Sequence, residues 1–147
     1  AELSADGKLT VRMPEFVARS GANTRPSEAR ANCNVSVTID HGSKQRLWAK
    51  SATMHVEGKL GSTEARVALK AYFQGQVATE SSEMTLTGDV ASKAIELSPK
   101  KNLSPCATNA TLVLNFSVFL KAQGTAKTPA QLAAKPLTTA LEWESCQ

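Results

Sequence analysis

Two histidines, three cysteines, two closely spaced glutamate pairs and a group of arginines are the residues of this chain with chemistry to offer. His41 follows Asp40 in a turn-like stretch, and His55 lies within an alternating run. Two imidazoles 14 residues apart, with no third ligand beside either, do not make a metal site, which needs three or four donors. No Gly-x-Ser-x-Gly elbow is present, and no motif places a base beside any cysteine. Glu80 with Glu83, or Glu142 with Glu144, could supply the paired carboxylates of a glycosidase. On a strand, however, Glu142 and Glu144 share one face and Trp143 takes the other, so solvent-facing charges beside a core tryptophan explain the pattern better. The residues read as no enzyme, with no metal and no cofactor.

The cysteines are Cys33, Cys106 and Cys146. They lack the CxxC spacing and histidine partners of a zinc site. In an oxidising compartment two of them pair and one stays free or pairs elsewhere; in a reducing one all three are core thiols. Any two of the three are candidates for a disulfide. Arg19, Arg25 and Arg30 lie in or beside one Gly-, Asn-, Pro- and Ser-rich stretch from Ser20 to Ala31, and could grip an anionic ligand. The net charge of +4 sits in the first half, where residues 1–75 carry 11 basic against 7 acidic side chains. A mild basic excess favours anionic partners such as polysaccharide, lipid headgroup or nucleic acid, although a solvated surface with no dedicated partner explains it better; an anionic polysaccharide or a protein is the partner expected if there is one. With no basic run and little aromatic interleaving, a nucleic-acid partner is not expected. Trp48, Tyr72 and Trp143 would make a sugar-stacking platform if exposed together. At 5% aromatic residues, use in the core is the better reading.

The elements that must position these groups read as strands. Leu112, Leu114, Phe116, Val118 and Leu120 recur at every second position, the period of a strand with one face in a core. The opposite face, Thr111, Val113, Asn115, Ser117 and Phe119, is mixed, which predicts a central strand in a sheet half open to water. Leu9 to Met13 alternates and ends at Pro14. Cys33 opens a strand with Val35, Val37 and Ile39 on one face, closed by a turn at Asp40-His41-Gly42-Ser43. Leu47 to Glu57 alternates with a break of phase near Lys50-Ser51 that predicts a bulge. Ala65, Val67, Leu69, Ala71 and Phe73 make a two-faced strand, although their alanine content also permits a helix. Short strands follow at Met84–Leu86 and Ile95–Leu97. Ala122 to Pro136 reads as a loop between strands, with Thr128-Pro129 able to start one or two helical turns through Lys135. Leu137, Thr139, Leu141 and Trp143 then alternate into Cys146. A hairpin of 110–121 with 137–145 would bring Cys106 and Cys146 to the same end. The whole reads as an all-β chain, an antiparallel β-sandwich of about seven to nine strands, jelly-roll or immunoglobulin-like, in one domain over residues 1–147.

No apolar run approaches the roughly 20 residues of a membrane helix, so no transmembrane span is expected. The N-terminus, Ala1-Glu-Leu-Ser-Ala-Asp-Gly7, is polar and has no apolar signal segment, as in a mature, trimmed or intracellular chain.

The ordered motifs Leu9-Thr-Val-Arg-Met-Pro-Glu-Phe16, Ala31-Asn-Cys-Asn-Val-Ser-Val37 and Ala71-Tyr-Phe-Gln-Gly-Gln76 continue with Leu86-Thr-Gly88, Leu97-Ser-Pro99, Ser104-Pro-Cys106 and Leu141-Glu-Trp-Glu-Ser-Cys146. Across nearly the whole chain this set resembles the bacterial and fungal family of domain of unknown function 4360. The resemblance implies a secreted, extracellular or periplasmic, disulfide-containing β domain and no particular activity. It also implies a further upstream strand ending in Gly-Ser-Gly-Cys-Pro, and so a fourth cysteine. An N-terminal segment cleaved from the chain, held by a disulfide, is then an expected partner. The function expected is a secreted non-catalytic module that binds a polysaccharide, an envelope component or a protein. The alternative is a secreted inhibitor of a protease or lysozyme, using the 20–31 or 122–136 stretch as a wedge.

Overall fold

A computed structural model describes residues 2–12, 16–21, 25–76, 82–98, 103–121 and 129–146. They form nine strands, all paired antiparallel: β1 (Glu2–Leu3), β2 (Lys8–Val11), β3 (Val17–Ser20), β4 (Arg30–Lys59), β5 (Glu64–Phe73), β6 (Ser82–Leu86), β7 (Asp89–Leu97), β8 (Ala107–Lys121) and β9 (Ala130–Ser145). A single 3-10 turn, Pro26–Ala29, precedes β4.

The long β4 organises the molecule. Its first part, Arg30 to Asp40, pairs with β8, from Arg30↔Phe119 to Asp40↔Asn109. Beyond the register jump between Asp40 and Gln45, its second part lies between β9 and β7. One sheet therefore runs β4 (first part)–β8–β5–β6. The other runs β7–β4 (second part)–β9, with β2 and β3 side by side on the far edge of β9 and β1 outside β2. The turn expected at Asp40 to Ser43 is a corner at which one strand changes sheets, as sandwiches use bends and bulges to do.

The inner faces of both sheets meet in one apolar cluster. Leu112, Leu114, Phe116, Val118 and Leu120 of β8, and Ala65, Val67, Leu69, Ala71 and Phe73 of β5, pack with Leu47, Met54, Val56, Leu137 and Leu141 of the other sheet. These are the inward sets that period-2 alternation picks out, and β8 is an interior strand of its sheet as expected. Alanine in β5 did not make it helical, because every second residue is buried along all ten positions. Such alternation fits a pleat and not a 3.6-residue turn.

Several expectations need correction. β8 and β9 do not form a hairpin. Each pairs with β4 instead, and both end beside the same residue, with Gln45 opposite Ala107 on one side and Ser145 on the other. Residues 130–136 are not a loop or a helical turn but the start of β9. A proline is admitted there because the register jumps between Met54↔Leu137 and Val56↔Ala134, leaving Lys135-Pro136 opposite His55 alone. That is a bulge, where a residue without an N–H costs the ladder little. Residues 122–128, Met13-Pro14 and Glu80 lie outside the described residues. The Lys50 bulge is as expected: Ala49↔Leu141 is followed by Ser51↔Ala140. β3 and β1 are additional short strands, and β7 begins at Asp89 rather than near Ile95.

Candidate functional site

One disulfide, Cys106–Cys146, joins the chain just before β8 to the chain just after β9, with Cα atoms 6.0 Å apart. The segment that leads into it is pinned as well. Ser104 is buried; its N–H donates to the Leu47 carbonyl and its hydroxyl accepts from the Leu47 N–H, each at 2.9 Å. The Gln76 side-chain amide donates to the Leu103 carbonyl at 2.7 Å. Cys33 is a free, half-buried thiol on β4. The disulfide is thus structural, closing the end of the sandwich where β4 turns its corner.

The three arginines take separate places. Arg19 lies on β3, where its Nε–H donates to Gln131 Oε1 at 3.4 Å. Arg25 sits before the 3-10 turn, and its N–H donates to Glu28 Oε2 at 3.3 Å. Arg30 opens β4 on the outer face of the other sheet, its guanidinium 4.6 Å from the centre of the Phe119 ring. Arg19 and Arg30 therefore face solvent from different sheets. The aromatic residues also separate. Trp143 packs against the core, while Trp48 and Tyr72 are half-buried on the outer faces of different sheets.

Glu142 and Glu144 face outward, each paired across strands: Glu142 with Lys50 at 2.8 Å and Glu144 with Arg46 at 3.3 Å. Carboxylates already neutralised by cations and flanking a core tryptophan do not form an acid–nucleophile pair. Glu83 lies on β6. His41 occupies the corner of β4, and His55 faces outward further along it. Among the described residues no three His, Cys, Asp or Glu side chains group to hold a metal.

The feature that does assemble polar chemistry is a rung across four strands. Asp89 on β7 is opposite Lys59 on β4, Lys59 is opposite Gln131 on β9, and Gln131 is opposite Arg19 on β3. Opposed residues share a face, so an acid, an ammonium, an amide and a guanidinium stand in line, spanning roughly 14 Å at about 4.8 Å per strand. Two hollows of about 430 and 440 Å³ adjoin this rung, and both are lined by Gly58, Lys59 and Gln131. Arg19 and Ser20 line the first, Glu57 and Asp89 the second. Gly58 makes the close approach of β4 and β9 possible, since a Cβ there would stand 1.9 Å from the Gln131 carbonyl oxygen. The Ser20 hydroxyl, beside Arg19, is buried and has no hydrogen-bond partner among the described residues. Of the arginines singled out from sequence, Arg19 alone belongs to this rung. Lys59, Gln131 and Asp89 carry no local motif and are brought in by strand register.

A family model described as Domain of unknown function (DUF4360) matches residues 1–146. No curated protein matches the chain in sequence. Among solved structures, that of infectious bursal disease virus, Gt strain, is similar at TM-score 0.52 and 8% identity, over 91% of this chain and 32% of that one. The Gx strain structure is similar at TM-score 0.50 and 9% identity, over 92% and 31%. This chain spans about a third of the length of those chains, and the likeness is one of fold. A family 11 carbohydrate-binding module from Clostridium thermocellum, in complex with a beta-1,3-1,4-mixed-linked tetrasaccharide, aligns over 93% of this chain and 97% of that one, at 11% identity. Its TM-score of 0.39 bears on neither fold nor ligand here.

Proposed function

Taking as premise that this chain belongs to the family of domain of unknown function 4360, we propose that it is a secreted, non-catalytic module that binds an anionic polysaccharide. The observation that carries this reading is the rung Asp89–Lys59–Gln131–Arg19 with its two flanking hollows. Arg19 and Lys59 offer charged donors to carboxylate or sulfate groups. Gln131 and Asp89 offer an amide and an acceptor to hydroxyl groups. A ladder of such groups at strand spacing suits a repeating, extended ligand. No nucleophile with an activating base lies on the rung, which suits binding without turnover. The disulfide fits an oxidising compartment, and no helix of the described residues is long and apolar enough to cross a membrane. The inhibitor alternative loses part of its wedge, because residues 130–136 belong to a strand of the sheet.

The test is retention of the purified chain on immobilised polygalacturonate and alginate at rising salt. Retention should fall with ionic strength, since screening weakens exposed charge contacts. Arg19→Ala and Lys59→Ala should each weaken it about tenfold, an effect of about 1.4 kcal/mol. Arg30→Ala, on the other sheet, should leave it unchanged. Retention that ignores Arg19 and Lys59, or none on either polymer, would remove the reading.

A further inference from the structure

A further hollow, of about 340 Å³, is lined by Lys8, Ser51, Thr53, His55, Thr138 and Ala140. It opens on the same outer face as the rung, because Ser51, Thr53, His55, Glu57 and Lys59 alternate along β4 with the buried Ala52, Met54 and Val56. Lys8 on β2 is opposite Ala140 on β9, and Ala140 is opposite Ser51 on β4. Thr10, Thr138 and Thr53 make the next rung, with Glu96 of β7 beyond them. This hollow therefore sits over β9 between β4 and β2, just as the hollow lined by Arg19, Lys59 and Gln131 sits over β9 between β4 and β3. From Ser51 to Lys59 the strand advances eight residues, roughly 26 Å at about 3.3 Å per residue.

Charge is distributed unevenly over this face. Arg19 and Lys59 stand at one end of β9 and Lys8 at the other, while Asp89 and Glu96 lie on β7, beyond β4. An acidic chain laid across the strands, along the rung, ends against Asp89. One laid lengthwise over β9 meets a cation at each end. The outward residues of β9 there include the small Ala133, Thr138 and Ala140, which leave room for it. The unpartnered Ser20 hydroxyl lines the hollow at the Arg19 end. Resting on the reading of the chain as a polysaccharide-binding module, we propose that a uronic acid polysaccharide lies lengthwise over β9, its carboxylates held at Arg19 and Lys59 and again at Lys8. Hydroxyl groups of the stretch between them bond Thr53, His55 and Thr138, which offer both donors and acceptors. The rung is then one end of a longer site. Once the first end is engaged, the second contact is intramolecular, so a chain that reaches both ends gains affinity that a short one cannot.

Titration with size-defined oligogalacturonides, a trimer and a decamer, followed by calorimetry and by amide NMR shifts, tests this. The decamer should bind about tenfold more tightly than the trimer. Lys8 is exposed, so Lys8→Ala leaves the core intact; it should cost the decamer about fivefold, most of that advantage. Lys70→Ala, on the outer face of β5 in the other sheet, should not change decamer binding. The trimer should shift amides around Arg19 and Gln131, and the decamer those of Thr53 and Thr138 as well. A decamer advantage that survives Lys8→Ala overturns the proposal, and so do Thr53 and Thr138 amides that the decamer leaves in place. If Arg19→Ala and Lys59→Ala still weaken both oligomers in that case, the lengthwise site falls and the binding function stands. Failure of the wild type to bind either oligomer removes both.

Discussion

Thr139 is fully buried, and its hydroxyl has no hydrogen-bond partner among the described residues. It stands inward on β9, opposite Leu9 on one side and Ala52 on the other, where an apolar side chain belongs. Burying an unsatisfied hydroxyl costs stability, and valine has the same shape without the oxygen. Thr139→Val should therefore stabilise the protein by about 1 kcal/mol, read as a higher denaturant midpoint at unchanged m-value. Thr139 was legible as an inward position, since it alternates with Leu137 and Leu141. Its lack of a partner was not, because partners are chosen by strands distant in sequence. The same limit explains why Arg19 could be singled out as a candidate while Lys59, Gln131 and Asp89 could not. Each of those three is an ordinary surface residue until register sets them in line.

At the scale of elements, the second part of β4 and the end of β9 are laced on their outer face by cross-strand ion pairs. Glu142 accepts a hydrogen bond from Lys50 and, with its charge, holds the Lys50 ammonium above the ordinary lysine pKa. A pKa raised by folding stabilises the protonated form, so this contribution is present below the ordinary lysine value and fades as pH rises through the raised one. Both groups are exposed, and the effect on stability is small. Glu142→Gln should bring the Lys50 titration back down, as followed by NMR of its side chain, while leaving the unfolding temperature between pH 6 and 9 nearly unchanged. The Lys50 bulge was legible because an extra residue shifts the phase of an alternating run. The bulge at Lys135-Pro136 was not, because a proline in an alanine-rich stretch reads first as a break. Only the partner strand shows that two residues there answer to one. The short β3 escaped for a different reason: Val17-Ala-Arg-Ser20 is too brief for its alternation to stand out.

For the molecule as a whole, the Cys106–Cys146 disulfide closes a loop of 40 residues between the two strands that flank β4 at its corner. In the chain-entropy model a loop of that size contributes about 4 kcal/mol. Cys106→Ala with Cys146→Ala should lower the unfolding free energy by about that amount in a denaturant titration, and Cys33→Ala by clearly less. The all-β sandwich was legible from period-2 runs between turns, yet the pairing of the cysteines was not, since it depends on which strands come to lie side by side. That arrangement has a consequence for the order in which the protein is made. β9 leaves the ribosome after every strand it pairs with, and it holds the middle of its sheet, with β4 on one side and β2 and β3 on the other. Until it emerges, β2 and β3 have no strand to dock on, and half of β4 lacks one neighbour. That sheet therefore cannot close until β9 has emerged, and its earlier strands wait for a partner made after all of them.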